Sequence, residues 1–321
     1  MSKQKTTTDL LSDSKYYSAE SDLEYMSASL YKSLNSCAAR AIARLHGEYE
    51  PEPSIAMTVG QLVEAELLGE DTQAVLNSHP EAFAVKLVET ETTIPTVAAV
   101  HPELVTRNGT WKSGCLTKAR EMMPEAFETQ VSLRSDYDIV AQCVEAVRQQ
   151  PMLMEYLTGD HQTTVSGNIG GLKWKGKLDV FDAANKRIVD LKVMRDFQRR
   201  GQAGSFVETF GYDRQLAIYR ELVRQQYGIE CDCYVVAVSK ETPCNVELIE
   251  IPAWRCDELI ADLETNAARV EPVWHGKAPA RGCGVCDYCR STKRITRPIE
   301  FDLVGMSARE LAAIGIDTEE E

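Results

Sequence analysis

The chain has 321 residues, 44% of them hydrophobic, which is enough to form a sizeable core. It carries 35 basic and 49 acidic residues, a net charge of −14, which argues against a protein that coats nucleic acid with its whole surface. No apolar run approaches the roughly 20 residues of a membrane helix, and no basic leader precedes an apolar segment. We therefore expect a cytoplasmic protein with no membrane segment.

The first half of the chain is predicted to be mainly helical. Residues 1–20 are rich in Ser, Thr, Lys and Asp and are predicted to form a flexible tail. A helical pattern covers residues 27–45, and after a proline-containing linker a second helix contains Glu64. Residues 70–130 indicate loops around short helices, and residues 135–149 show the apolar spacing of another helix.

The second half is predicted to form a sheet. Strand-like runs occur at residues 163–169, 172–181, 187–193, 231–238 and 246–251. A helix that contains Tyr212 lies between the third and fourth runs, and a last long helix covers about residues 254–270. This order predicts an α/β fold with a mixed central sheet flanked by helices. Near the end of the chain, SARELAAIGI is interpreted as a small amphipathic helix that could bind a partner.

Two neighbouring strand-like runs carry two carboxylates and a lysine. Asp190 and Lys192 share a face because successive side chains of a strand point to opposite sides. The turn-forming residues 182–186 allow the two runs to pair as antiparallel neighbours, which would bring Asp179 close to Asp190. Two such carboxylates could hold Mg²⁺ or Mn²⁺ for phosphodiester cleavage, with Lys192 beside the attacking water. The alternative for so short a pattern is a solvated ion pair on a surface hairpin.

With these motifs in this order, the chain resembles the PD-(D/E)xK nucleases, in the RecB-like and exonuclease VIII-like branch of phage recombination systems. The resemblance covers roughly residues 24–295. Its motifs are MSASLYKSLNSCAARA, VGQLVEAELLGE, HPEAF, GKLDVF, IVDLK, FGYDRQLAIYREL and CGVCDYCRSTK, and Leu178 stands where the family name expects proline. It implies a restriction-endonuclease-like core over residues 21–295, with a flexible tail at 1–20 and an acidic tail at 296–321.

The resemblance also implies roles for individual residues. The magnesium ion would be held by Glu64, Asp179, Asp190 and Leu191, and Lys192 would position the water. Gln215 and Tyr219 lie four residues apart on one helical face, where they would contact a DNA phosphate or steady Lys192. The alternatives are an exposed helix carboxylate for Glu64 and a core position for Tyr219.

The ten cysteines divide into two sets. Cys283, Cys286 and Cys289 form a C-x2-C-x2-C loop that can direct three thiolates to one point. The resemblance implies that Cys37 supplies the fourth ligand and that the site holds a structural [4Fe–4S] cluster. Zinc is the alternative metal, and thiols without a metal are the third possibility. The remaining cysteines are expected to be reduced, because their spacing is uneven and the chain is long.

Basic residues are concentrated near the predicted site in spite of the acidic total. The predicted DNA contacts are Lys173, Lys175, Lys177, Arg195, Arg199 and Arg200. Arg214 belongs to the same basic group, and Arg281 and Arg290 flank or lie in the cysteine loop. The acids concentrate elsewhere, notably at residues 48–52 and 319–321. This distribution suits a protein that binds DNA in a cleft, and a solvated basic surface is the alternative.

These observations predict a Mg²⁺-dependent DNA exonuclease that resects linear double-stranded ends for phage-type homologous recombination. The resemblance further implies a ring-shaped homo-oligomer and a single-strand annealing protein as partner. Two alternatives remain open, namely a non-catalytic DNA-binding or assembly module on the same fold and an end-trimming nuclease of the CRISPR-adaptation type. The sequence contains no G-x4-G-K-[ST] loop, H-E-x-x-H helix or G-x-S-x-G elbow, so other common enzyme classes are not indicated.

Overall fold

The structure is a computed structural model, and it describes residues 10–12, 14–51, 54–198, 204–295, 298 and 300–314. The chain divides into two compact units. The first unit combines Met1–Glu52 with Glu145–Glu321, and the second is Pro53–Val144. No helix among the described residues is both long and apolar enough to cross a membrane.

The helices are α1 (Ala19–Glu24), α2 (Ala28–Ser36), α3 (Ala38–Leu45), α4 (Ile55–Leu68), α5 (Thr72–Asn77), α6 (Thr93–Val100), α7 (Cys115–Met122), α8 (Ile139–Arg148), α9 (Pro151–Tyr156), α10 (Phe206–Phe210), α11 (Tyr212–Tyr227), α12 (Ala253–Asn266), α13 (Glu271–Trp274), α14 (Asp287–Thr292) and α15 (Ala308–Ala313). The strands are β1 (Phe83–Val88), β2 (Glu128–Leu133), β3 (Asp160–Ile169), β4 (Leu172–Asp182), β5 (Arg187–Met194), β6 (Asp232–Ser239) and β7 (Val246–Ile251).

The second unit contains the predicted Glu64 helix and a small sheet that was not predicted. Helix α4 begins after Ser54, whose side chain accepts a hydrogen bond from Met57 N, and ends at Gly69, whose φ of 74° suits a glycine. Strands β1 and β2 pair antiparallel although about forty residues of helix and loop separate them. Because no turn joins the two strands directly, the sequence contains no hairpin signal for this sheet.

The first unit is organised around one five-stranded sheet in the order β3-β4-β5-β6-β7. Neighbouring strands are antiparallel except β5 and β6, which are parallel. A parallel pair needs a long crossover connection, and α11 lies in that connection and packs on the sheet. The predicted mixed sheet flanked by helices is confirmed, and the predicted ends of each strand lie within three residues of the observed ones.

The single helix predicted over residues 27–45 is wrong, because two helices, α2 and α3, occupy this range. They meet at Cys37, which has an extended conformation with φ −159° and ψ 94°. Neither glycine nor proline lies in this stretch, so local sequence does not explain the break. A tertiary contact accompanies it, since the Ala39 N–H donates to the Arg281 carbonyl at 3.0 Å.

The segment before α2 is attached to the sheet through a buried lysine. Lys175 on β4 is 1% exposed, and its Nζ donates to the Tyr16 carbonyl at 2.6 Å and to Ser21 Oγ at 2.9 Å. The same Nζ lies 2.6 Å from Asp22 Oδ1. Tyr16 is itself buried, although it falls in the range predicted as a flexible tail. These contacts give each hydrogen of the buried ammonium a partner, as a charged group away from water requires.

We expect Lys175→Met to lower the free energy of unfolding by about 2 kcal/mol, because two buried acceptors lose their donor and Asp22 loses its ion pair. Methionine keeps most of the side-chain volume. Urea unfolding followed by circular dichroism measures the change. Lys173→Met is the matched control, since the Lys173 side chain is 54% exposed and pairs with Glu24 at the surface, where an ion pair contributes little. Equal stability of the two variants would contradict the prediction.

Candidate active site

A buried carboxylate and a lysine on β5 form the centre of the site. Asp190 is 1% exposed, and its Oδ2 lies 2.7 Å from Lys192 Nζ. The same ammonium lies 4.0 Å from Asp179 Oδ2 on the neighbouring strand β4. The structure therefore brings together the three residues that the strand pattern predicted would meet.

Asp179 lies where the regular pairing of β4 is interrupted on both sides. The ladder between β4 and β5 stops at Val180 and Val189, one step before Asp179 and Asp190 would face each other. On the other side, the ladder skips Gln162, which has a φ of 53°. The Asp179 carboxylate replaces the missing main-chain acceptor, since its Oδ2 accepts a 2.8 Å hydrogen bond from Leu191 N. The two strands thus separate at the site, and a side chain satisfies the exposed N–H.

The electrostatics of the centre follow from burial and from charge pairing. Burial raises the pKa of Asp190 to about 7, although the Lys192 charge acts in the opposite direction. Burial alone would lower the pKa of Lys192, but the carboxylates of Asp190 and Asp179 raise it above its ordinary value. Asp190 Oδ2 is also buried without a hydrogen bond of good geometry, despite the nearby ammonium. A buried carboxylate oxygen in this condition can accept a further cation or donor.

Helix α11 supplies the predicted Gln215 and Tyr219. Gln215 Nε2 donates to Asp190 Oδ1 at 2.9 Å and to the Tyr219 hydroxyl at 3.0 Å. Tyr219 is 8% exposed and belongs to the core, as the packing alternative expects, and its contact with a DNA phosphate or its support of Lys192 stays a prediction. Gly176 on β4 permits its close approach, because a Cβ there would lie 2.7 Å from the Tyr219 ring. The helix thereby fixes one oxygen of Asp190.

The other predicted magnesium ligands are placed less directly. Glu64 is half-buried on α4 of the second unit and remains a predicted third ligand. Leu191 can offer only its main-chain oxygen, which accepts a long 3.4 Å hydrogen bond from Lys192 Nζ. The Leu191 carbonyl therefore lies next to the two carboxylates, and its ligand role also remains a prediction.

The four cysteines predicted to share a metal lie together. Their sulfurs are all within 4.8 Å of one another, and they are the only group of three or more potential metal ligands of this kind among the described residues. The Sγ–Sγ distances are 3.6 Å between Cys37 and Cys289, 3.7 Å between Cys37 and Cys286, and 4.0 Å between Cys283 and Cys289. The group could bind a metal.

Main-chain N–H groups point at these sulfurs. Cys283 N donates to Cys37 Sγ and Cys286 N donates to Cys283 Sγ, both at 3.3 Å. Burial alone would raise the pKa of Cys283, but N–H groups of Val285 and Cys286 lower it to about 7. Such donors favour the thiolate, which is the form that binds metals. The extended conformation of Cys37 between α2 and α3 places its sulfur in the group.

The predicted DNA contacts have mixed outcomes. Lys175 is a correction, because its ammonium is buried in the contacts with Tyr16 and Asp22 and cannot reach a phosphate. Lys173 pairs with Glu24, and Lys177 lies 5.5 Å from the ring centre of Tyr17. Arg195 is 83% exposed as a side chain. Arg199 and Arg200 lie outside the described residues.

Two features of the site were not among the predicted site residues. The ring of Tyr212, at the start of α11, lies 5.3 Å from Lys192 Nζ and covers the ammonium. Burial lowers the pKa of Lys32 on α2, and the nearby positive charge of Lys192 lowers it further. Tyr212 could have been suspected from the Gln215 helix. Lys32 could not, because it comes from a helix far away in sequence.

Comparison with known proteins identifies the family of the chain. The chain matches a family model described as a PDDEXK-like domain of unknown function (DUF3799) over residues 27–292. The crystal structure of a protein described as a putative exonuclease from Eubacterium rectale superposes with a TM-score of 0.70 at 26% identity, covering 92% of this chain and 98% of that chain.

Two further comparisons add nothing to this result. No curated protein sequence matches the chain. The crystal structure of SSO0001 aligns at 14% identity over 68% of this chain and 95% of that chain, but its TM-score of 0.25 supports no conclusion.

The resemblance to the PD-(D/E)xK superfamily is confirmed by the family match and supports a nuclease. Because the family model covers more than half of its length, this chain belongs to the family of PDDEXK-like domains.

Proposed function

We propose that this protein is a Mg²⁺-dependent DNA exonuclease that hydrolyses phosphodiester bonds at the ends of linear double-stranded DNA. The observation that carries the proposal is the buried Asp190, held by Gln215 on one oxygen and lying beside Lys192 on the other. A carboxylate kept away from water, next to a second carboxylate and a lysine, is unusual unless it serves chemistry.

The residues present fit a divalent ion. Asp190 Oδ2 is buried without a hydrogen bond, Asp179 offers a second carboxylate within 4.0 Å of the same lysine, and the Leu191 carbonyl adjoins both. Oxygen donors of this kind suit magnesium or manganese. We propose Asp179, Asp190 and Leu191 as ligands, and the resemblance of the sequence motifs alone adds Glu64 to this proposal. The ion would neutralise phosphate charge and favour deprotonation of a bound water.

The protein's own groups orient the reacting atoms. Gln215 fixes the Asp190 carboxylate through Oδ1, and Tyr219 in turn accepts a hydrogen bond from Gln215. Lys192 lies between the two carboxylates, where its ammonium can contact an attacking water or a phosphate oxygen. The rigid positions of these residues on β4, β5 and α11 suit them to hold that geometry.

The biological setting belongs to the same proposal. The similarity to the Eubacterium rectale protein, described as a putative exonuclease, supports digestion from ends. We propose resection for phage-type homologous recombination in the bacterial cytoplasm, with a single-strand annealing protein as partner and a ring-shaped homo-oligomer as the working form. These features rest on the resemblance of the sequence motifs.

We expect the wild-type protein with Mg²⁺ to degrade end-labelled linear duplex DNA and to spare a covalently closed circle. Asp190→Asn and Lys192→Ala should each reduce the rate by at least about 100-fold, because each removes a group positioned at the reacting phosphate. Denaturing electrophoresis of labelled products measures the rate and shows whether cleavage begins at the ends.

Arg195→Ala is a useful control, since Arg195 lies near the site but is largely exposed. It should change the rate only a few-fold through weaker DNA binding. Cleavage of the circle would show that the protein is an endonuclease and not an exonuclease. Release of only a few nucleotides would favour an end-trimming enzyme, and no metal-dependent cleavage by the wild type would favour a non-catalytic module.

We further propose that the four cysteines hold one zinc ion. A tetrahedral zinc site with Zn–S bonds of about 2.3 Å places its sulfurs about 3.8 Å apart. Three of the six separations, 3.6 to 4.0 Å, agree with that value, and all six are within 4.8 Å. A [4Fe–4S] cluster binds each cysteine at a different iron atom and therefore needs sulfurs farther apart. This comparison favours zinc over the cluster that the family resemblance implies.

Protein purified without oxygen should be colourless and contain about one zinc ion per chain. Cys286→Ser should lose most of the zinc, because a neutral hydroxyl is a poor replacement for a thiolate, whereas Cys115→Ser should retain it. Elemental analysis and visible absorbance provide the measurements. A brown protein with about four iron atoms per chain would establish the iron–sulfur cluster instead.

A further inference from the structure

A groove of about 860 Å³ lies within the first unit, beside the candidate active site. Helix α2, the junction of α10 and α11, and the cysteine loop form its walls. One end reaches Gln215, the residue that holds Asp190, and another part borders Cys283 and Cys286. The groove thus extends from Gln215, which contacts Asp190, to the cysteine group.

The charge of the groove is opposite to that of the whole chain. Among the residues that the structure describes, four cationic residues line it, namely Lys32, Arg40, Arg214 and Arg281, against one acidic residue, Glu208. Glu208 Oε2 accepts hydrogen bonds from Ser205, and its Oε1 lies 3.9 Å from Arg255. A protein with a net charge of −14 therefore collects positive charge in one concave surface. Such local focusing attracts polyanions to the groove and repels them elsewhere.

Several groups in the groove have donor capacity for an anion. The Arg214 side chain is 39% exposed, and its Nη2 lies 4.0 Å from Asp262 Oδ2, a separation that leaves the guanidinium able to donate to a further anion. Helix α11 begins at Gly211 without a side-chain cap, so the positive end of a 16-residue helix adjoins the groove. Lys32 Nζ donates to the Phe210 carbonyl at 2.7 Å, and an ammonium has two further hydrogens to donate.

An aromatic ring stands at the same place. Phe210 lines the groove and is 40% exposed, and its ring stacks on Tyr212 with the ring centres 5.9 Å apart. Tyr212 in turn covers Lys192. An exposed ring among cations is the combination with which proteins bind single strands, since the cations follow the phosphates and the ring stacks on a base.

We propose that this groove binds the sugar–phosphate backbone of one DNA strand and leads it to Asp190 and Lys192. Lys32, Arg40, Arg214 and Arg281 contact phosphates, and Phe210 stacks on a base. The volume suits a few nucleotides of a single strand and is too small for a duplex. That the strand leads to Asp190 and Lys192 rests on the proposed nuclease function. Binding of the strand in the groove can be tested without any cleavage.

The test measures binding of a fluorescein-labelled oligothymidylate by anisotropy, with EDTA present to prevent turnover. Each phosphate contact contributes about 0.7 to the slope of log K against log salt for single strands. Lys32→Ala and Arg40→Ala should therefore each weaken binding about fivefold at 0.1 M salt and reduce the slope by about 0.7, and the double variant should lose about 25-fold.

Matched variants separate this effect from a loss of folding. Lys32→Arg and Arg40→Lys keep the charge and should retain most of the binding. Arg224→Ala removes a cation that α11 carries away from the groove and should bind as the wild type does. Phe210→Ala should weaken binding about fivefold or more without changing the salt slope, and Phe210→Tyr should restore it.

The outcomes distinguish this proposal from the nuclease itself. The wild type could cleave DNA while Lys32→Ala, Arg40→Ala, their double variant and Phe210→Ala all bind oligothymidylate as well as Arg224→Ala does. In that case the groove proposal is wrong and the proposed nuclease function stands. Groove-dependent binding without any cleavage would support the groove and contradict the nuclease. If Lys32→Arg and Arg40→Lys also bind oligothymidylate more weakly, the loss of binding is due to a loss of folding. The assignment of the groove as a strand-binding site is then wrong.

Discussion

The buried pairing of Asp190 with Lys192 is the constraint on which the rest of the site depends. A carboxylate that is 1% exposed must be compensated, and its compensation comes from two directions. Lys192 approaches from its own strand and Gln215 from α11, whereas the like charge of Asp179 on β4 acts against the ionised form of Asp190. Each partner requires a particular placement of its element. The interruption of the ladder beyond Val180 and Val189 is part of the same arrangement, because it leaves room for side chains between two strands.

The helix α11 connects this centre to the remainder of the first unit. It crosses between the parallel strands β5 and β6, and its buried face includes Leu216, Ile218 and Leu222. That packing determines where Gln215 and Tyr219 lie, and the absence of a Cβ at Gly176 allows the tyrosine ring to approach the sheet. The start of the same helix borders the basic groove. A single element therefore supports the core, the carboxylate and the approach to it.

The distribution of charge is consistent with the proposed binding of DNA by an acidic chain. The net charge is −14, while four cations line the groove next to the site. Repulsion elsewhere would disfavour non-specific binding and leave the groove as the favourable path. The cysteine group forms one border of this groove, so a metal bound there would hold the wall in position. The proposed metal site and the proposed strand path are thus linked.

The sequence by itself determined the strands and the local chemistry of this protein. Period-two apolar runs and a turn between them were sufficient for β4, β5, Asp179, Asp190 and Lys192, because alternation and hairpin pairing are local properties. The spacing of Gln215 and Tyr219 and of the three C-terminal cysteines was equally local. The tertiary structure decided what depends on contacts distant in sequence. It broke the predicted helix at Cys37, buried Lys175 against the segment before α2, and brought Lys32 and Arg40 beside α11. The periodicity of the sequence indicates which face of an element a side chain occupies, but the residues that cover this face come from elsewhere in the chain. Only the tertiary packing therefore decides whether a lysine is free to bind phosphate or is buried in the core.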